Sequence, residues 1–140
     1  MILGALLKSV RPRQWPKNAF VFAAVVFAPK LGDVAAVAKS FVAFVAFCLA
    51  AGAVYLINDV RDLENDRQHP IKKNRPIAKG ELSTGAALAF SLVLLVLALA
   101  LALYLDGRFA VIVTGYFLMN LVYTFFLKDE VILDVLLIAI

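Results

Sequence analysis

Asn58, Asp62 and Asp66 recur at intervals of four residues, and Asp59 stands three before Asp62. On a continuous helix, three or four oxygen-bearing side chains would then fall along one stripe. Like charges four residues apart repel, so carboxylates gathered in this way point to an added cation. The donors are all oxygens, with no cysteine and a single histidine nearby, which favours a hard divalent ion. Mg²⁺ is the usual choice, because it keeps several waters and bridges to substrate phosphates. The chemistry expected of Asn58, Asp59, Asp62 and Asp66 is therefore a carboxylate–Mg²⁺–diphosphate site, with Asn58, Asp62 and Asp66 nearest the reaction. A solvated helix end, with Asp62 and Asp66 paired to Arg61 and Arg67, would read the same way, and both readings stand at this point.

A basic run comes next, Lys72-Lys73-Asn74-Arg75-Pro76. It is dense enough to clamp phosphates or to bind anionic lipid, and simple sorting of basic residues to one side of a membrane would also place it there. Metal and cations together can neutralise a diphosphate leaving group as charge develops on it. Residues 59–81 hold 11 of the chain's 24 charges, five acidic and six basic, directly after a hydrophobic stretch.

The elements that must position this segment are membrane helices. Of 140 residues, 64% are apolar or aromatic, far above the roughly 45–50% of soluble domains. Three runs carry no charge at all: 19 residues at 40–58, 24 at 82–105 and 19 at 109–127. Each is long enough to cross a hydrocarbon core of about 30 Å as a helix. The composition excludes a soluble enzyme, a secreted disulfide scaffold and a disordered tail, and the lone Cys48 can form no internal disulfide. The expected architecture is all-α, a polytopic transmembrane helix bundle forming one domain over residues 1–140. Spans are expected at 18–31, 34–57, 84–105 and 109–127, with a fifth beginning at 131 and a motif loop at 58–83. Residues 1–10 are too short an apolar run for a cleavable signal peptide.

Basic residues follow this topology. With the N-terminus and motif loop cytoplasmic, 11 of the 14 Lys and Arg fall inside, and only Lys30, Lys39 and Arg108 fall outside. The net charge of +4 is thus accounted for without a nucleic-acid partner.

Two segments carry a family resemblance. Asn58-Asp59-Val60-Arg61-Asp62-Leu63-Glu64-Asn65-Asp66, followed by Asn74-Arg75-Pro76-Ile77-Ala78-Lys79-Gly80-Glu81-Leu82-Ser83, resembles the first aspartate-rich motif and the succeeding "RP-x-A-x-G" loop of the UbiA superfamily of intramembrane prenyltransferases. Arg11-Pro12-Arg13-Gln14-Trp15-Pro16-Lys17-Asn18 and Asn120-Leu121-Val122-Tyr123-Thr124-Phe125-Phe126-Leu127-Lys128 look most like its decaprenyl-phosphate phosphoribosyltransferase branch. The resemblance implies a bundle of about nine transmembrane helices in the cell membrane, of which this chain is the N-terminal half. It also implies a second aspartate-rich motif in the later half. After Glu130 the only acid here is Asp134, so an isolated chain is expected to be inactive.

For this branch, the resemblance implies transfer of 5-phosphoribose from phosphoribosyl pyrophosphate to a polyprenyl phosphate, in cell-wall arabinan precursor synthesis. Mg²⁺ on Asn58, Asp62 and Asp66, with Asp59, would bind the donor's pyrophosphate while Lys73 and Arg75 contact its oxygens. Lys17 and Lys128 are candidates for the lipid phosphate, and Tyr123 with Lys128 matches a Tyr and Lys that the family carries near the fourth span. An alternative is a prenyltransferase that moves a prenyl group from prenyl diphosphate to an aromatic acceptor, with Asp62 and Asp66 unchanged in role. A second alternative is a non-catalytic membrane subunit whose charged loop docks a partner or lipid headgroups. His69, Cys48 and Trp15 are read as a solvated loop residue, a packing residue and an interfacial anchor.

Overall fold

A computed structural model describes residues 2–28 and 30–127; the expected fifth span from 131 and Lys128 lie outside these. Among the described residues every regular element is helical. In chain order these are α1 (Ile2–Ser9), a 3₁₀ segment (Pro12–Phe22), α2 (Ala23–Phe27), α3 (Val34–Arg61), α4 (Leu63–Gln68), α5 (Thr84–Leu105), α6 (Gly107–Val122) and a π-helical segment (Tyr123–Leu127). A short 3₁₀ turn, Lys72–Asn74, lies in the loop between α4 and α5.

Side-chain caps set the helix starts. Asp33 accepts from the N–H groups of Ala35 and Ala36, Ser83 from Ala86 and Asp106 from Arg108, which begins α3, α5 and α6. Three helices, Val34–Arg61, Thr84–Leu105 and Gly107–Leu127, are long and apolar enough to cross a membrane. At 28 residues, α3 is roughly 42 Å long, about two turns more than a 30 Å core requires. It therefore continues past residue 57, where a span was expected to end, and carries Asn58, Asp59 and Arg61 on its last turn. No proline or glycine falls between residues 57 and 61.

Over 18–31 the outcome differs from the expected α-helical span. The chain winds as 3₁₀ through Phe22 and only then forms the five residues of α2. Pro12 and Pro16 both lie in the 3₁₀ segment, and neither has an N–H to give to a helical ladder. A 3₁₀ helix rises faster per residue than an α-helix, so residues 12–27 still have a contour of roughly 30 Å.

The core lies where α3 meets α5. Small residues let the backbones approach: Ala50 and Ala53 of α3 and Ala87, Ala98 and Ala102 of α5 are fully buried. The Ser91 hydroxyl donates to the Ala53 carbonyl at 3.0 Å. One end of this interface is a cluster of Phe47, Ala50, Ala98, Ala102, Ala110 and Val113, in which the Phe47 ring meets Phe20, Phe109 and Tyr116 edge-on. The other end gathers Ala5 and Val10 from the N-terminus and Ile77 and Leu82 from the motif loop against α3 and α5. That second cluster holds the charged segment in place. Large apolar side chains on the outer faces of α5 and α6, such as Leu92, Val96, Ile112 and Met119, are exposed, as lipid contact requires.

Candidate functional site

The ladder of α3 does not stop at its end. Asp62 leaves helical geometry (φ −88°, ψ 8°), yet its N–H bonds to the Asn58 carbonyl at 2.9 Å, and the Asp66 N–H bonds to the Asp62 carbonyl at 2.8 Å. The spacing of four is thus preserved into α4, and Asp59, Asp62 and Asp66 are all buried, at 2%, 7% and 2% exposure. Burying a carboxylate costs several kcal/mol unless cations and hydrogen bonds compensate.

Arginines compensate. Arg75 Nη1 lies 3.0 Å from Asp59 Oδ1 and 2.6 Å from Asp66 Oδ2, so one guanidinium nitrogen bridges two acids. Arg11 Nη2 lies 2.5 Å from the same Asp59 oxygen. Arg61 Nη1 is 3.7 Å from Asp62. Arg67 pairs with the exposed Glu64 at 3.1 Å and takes no part. Of the pairs that the solvated-end reading required, Asp62–Arg61 is present at 3.7 Å, while Asp66 pairs with Arg75 and not Arg67, and both acids are buried rather than solvated.

The motif loop anchors Arg75 through buried neighbours on its C-terminal side. Pro76, Ile77 and Leu82 are buried. The N–H groups of Glu81 and Leu82 both reach the Pro76 carbonyl, at 2.9 and 3.2 Å. Gly80, at φ +79°, turns the chain through a conformation that a side chain would strain. His69 Nδ1 accepts from the N–H groups of Ile71 and Lys72, so the histidine is a loop cap.

Arg11 is placed differently. It adopts the left-handed region at φ 53°, uncommon for a residue with a side chain, and its guanidinium lies 4.8 Å from the centre of the Tyr55 ring. Gly52 makes this approach possible, since a Cβ there would collide with Val10 Cγ1. α1 can therefore press against α3, which sets Lys8 and Arg11 beside Asp59.

A cavity of about 280 Å³ opens at this junction, lined by Lys8, Arg11, Asp59, Lys72, Asn74 and Arg75 among others. Several expected residues fall elsewhere. Lys73 is exposed and its neighbour Lys72 lines the cavity instead; Lys17 is exposed on the 3₁₀ segment and does not line it. Tyr123 opens the π-helical segment, which Arg61 reaches through the Phe125 carbonyl at 3.5 Å and the Phe125 ring at 5.8 Å. Lys8 and Arg11 were not expected in the site and no local spacing marks them, whereas Lys72 belongs to the basic run expected to clamp phosphates, of which Lys73 and Arg75 are the expected contacts.

Among the described residues no group of three His, Cys, Asp or Glu side chains is gathered to hold a metal ion. Asp59, expected among the ligands, has its Oδ1 engaged by two arginines. Mg²⁺ needs only one or two protein carboxylates, with waters and substrate phosphates completing its shell. Asp66 Oδ2 is likewise engaged, by Arg75 at 2.6 Å, and Asp62 Oδ1 lies 3.7 Å from Arg61, so it is the second oxygen of each of these acids, one turn apart on a shared ladder with Asn58 one turn before, that suits that demand.

The sequence matches the UbiA prenyltransferase family over residues 17–140. It is 43% identical to a decaprenyl-phosphate phosphoribosyltransferase of Mycolicibacterium smegmatis, across 99% of this chain and 45% of that protein. Proteins of the same name from Mycobacterium tuberculosis and Corynebacterium glutamicum are 40% and 38% identical, over 47% and 43% of their lengths. The chain thus spans just under half the length of these curated relatives.

Proposed function

The chain belongs to the UbiA prenyltransferase family, and from that premise we propose that it supplies the N-terminal part of a membrane transferase moving 5-phosphoribose from phosphoribosyl pyrophosphate to a polyprenyl phosphate. The observation that carries this reading is the buried Asp59–Arg75–Asp66 bridge at the end of α3. The names of the relatives support phosphoribosyl transfer over prenyl transfer to an aromatic ring. The enzyme works in the plasma membrane, with the N-terminus and motif loop cytoplasmic.

Asn58, Asp62 and Asp66 would hold Mg²⁺, which would supply positive charge to the donor's pyrophosphate. Asp59 acts at one remove, fixing the guanidinium groups of Arg11 and Arg75. Arg75 donates N–H groups to pyrophosphate oxygens as the bond from the anomeric carbon to the leaving oxygen breaks. Lys73 adds charge from the exposed side of the loop. An oxygen of the lipid phosphate forms the new bond, and pyrophosphate departs with the electron pair. The acceptor is already an anion, so no base is required, in keeping with His69 being committed to the loop. Lys17, Tyr123 and Lys128 are assigned to the acceptor side.

Membranes carrying the complete protein provide the test. Labelled phosphoribose should pass from phosphoribosyl pyrophosphate to decaprenyl phosphate only with Mg²⁺ present. Transfer of labelled prenyl groups to an aromatic acceptor, with no phosphoribosyl transfer, would replace this reading by the prenyl one.

A further inference from the structure

The cavity beside Asp59 is built for an anion that brings no metal. Four cations, Lys8, Arg11, Lys72 and Arg75, line it. Among the described residues Asp59 is its only carboxylate, and Asp62 and Asp66 do not line it. Set against Asp59 and the Asp66 that also engages Arg75, four cations leave a surplus of two positive charges. A phosphate monoester carries about two negative charges at neutral pH. Resting on the phosphoribosyl reading above, the geometry points to this cavity as a binding site for a phosphate monoester, adjoining the pyrophosphate site at Arg75 and held chiefly by Lys8, Arg11 and Lys72.

Three details fit that ligand. His69 fixes the Lys72 backbone through Nδ1 at 3.2 Å, so the lysine is presented by a capped turn. Lys8 Nζ reaches the Asn74 carbonyl at 3.5 Å, bridging α1 and the motif loop across the cavity. Arg11 keeps a left-handed backbone while paired with Asp59, and such outliers concentrate where a ligand is gripped. A second hollow of about 600 Å³, lined by Leu7, Lys8, Arg11, Pro12, Arg13 and Gln14, shares Lys8 and Arg11 with the first.

Phosphoribosyl transfer presents a monoester twice, as the donor's sugar phosphate and as the lipid phosphate. Prenyl transfer to an aromatic ring presents none. The site thus goes beyond the pyrophosphate machinery and distinguishes the two chemistries.

The experiment measures binding of three probes to the complete protein in nanodiscs: ribose 5-phosphate, farnesyl phosphate and pyrophosphate with Mg²⁺. In the double variant Lys8→Gln/Lys72→Gln, one of the monoesters should bind at least about tenfold more weakly, the scale of one lost charge-assisted contact. Pyrophosphate with Mg²⁺ should bind as before, and Lys8→Arg/Lys72→Arg should retain monoester binding. A loss confined to ribose 5-phosphate assigns the site to the donor's sugar phosphate, and a loss confined to farnesyl phosphate assigns it to the acceptor. Monoester binding that is unchanged in the Gln variant, or undetectable in the wild type, overturns the site while leaving the pyrophosphate reading intact. Failure of the wild type to bind pyrophosphate with Mg²⁺, with the lysine effect preserved, overturns that reading and leaves the monoester site standing.

Discussion

Around Phe47 and Ala50, α3 meets α5 and α6 through alanines and aromatic edges, with no ion pair in the cluster. Roughly three turns further on, at Asp59, the same helix meets its neighbours through a carboxylate gripped by arginines from residues 11 and 75. The apolar end is held by many small, replaceable contacts. The charged end is one network, in which Asp59 is shared by Arg11 and Arg75 while Asp66 is paired with Arg75, so the loss of Arg75 strips a buried acid of its arginine. Packing contacts are thus spread along the helix, whereas the buried charges, and with them the proposed chemistry, gather at its last turn, and substitutions at the two ends should fail in different ways.

The sharpest contrast comes from Asp66→Asn and Asp62→Asn. Each should lower phosphoribosyl transfer by about 10²–10³-fold, the scale of losing a positioned charge at the reacting centre. Membrane insertion and helix content should stay normal, since α5 and α6 do not depend on these acids. Transfer assays on membranes with matched protein levels check this. More than a tenth of wild-type transfer in both variants would remove the aspartates from the chemistry.

How much of the molecule is legible in its sequence divides along the same line. Hydrophobic runs are local, so the helices seen at Thr84–Leu105 and Gly107–Leu127 can be read from residues 82–105 and 109–127 alone. The four-residue spacing of Asn58, Asp62 and Asp66 is local too, and it survives the break at Asp62 because the ladder bonds continue. The partners of Asp59 are not local: Arg11 and Arg75 are 48 and 16 residues away, and no spacing rule connects them. Lys72 and Lys73 are identical neighbours in sequence, and only the His69 cap and the fold of the turn decide which lines the cavity. Over residues 18–31 the apolar count suggests an α-helix, while the chain is 3₁₀ through Phe22, which alters its rise, and an apolar count does not distinguish the two ladders.

Gly52 joins the two regimes and carries an intermediate effect. A methyl group there would overlap Val10 Cγ1 and stand 3.3 Å from Leu94 Cδ1, so Gly52→Ala should cost about 1–3 kcal/mol as an overpacking change. Thermal unfolding in detergent measures that loss. Because Val10 directly precedes Arg11, the variant should also loosen the Arg11–Asp59 pair and weaken anion binding. The double variant Val10→Ala/Gly52→Ala tests the cause. The atom that remains, Val10 Cβ, is 3.6 Å from the added methyl, an ordinary contact, so most of the stability should return. No recovery would mean that the cost of filling Gly52 comes from Leu94 and the membrane-side packing.

The smallest effect belongs to Ser91, the buried hydroxyl that joins α5 to the Ala53 carbonyl. A buried polar contact between helices looks decisive in outline, yet such bonds contribute only about 0.6 kcal/mol on average in membrane proteins, because the unfolded chain in lipid also finds partners. Ser91→Ala removes the donor, and the Ala53 carbonyl keeps its place within α3, so no strong group is left stranded. The alanine also matches the small residues along this interface, which lets the backbones stay close. Ser91→Ala should therefore lower unfolding stability by less than about 1 kcal/mol and leave transfer unchanged. A loss several times larger would place Ser91 with the charged end of α3 as part of a cooperative polar network, and the division between the two ends would have to be redrawn one turn deeper into the membrane.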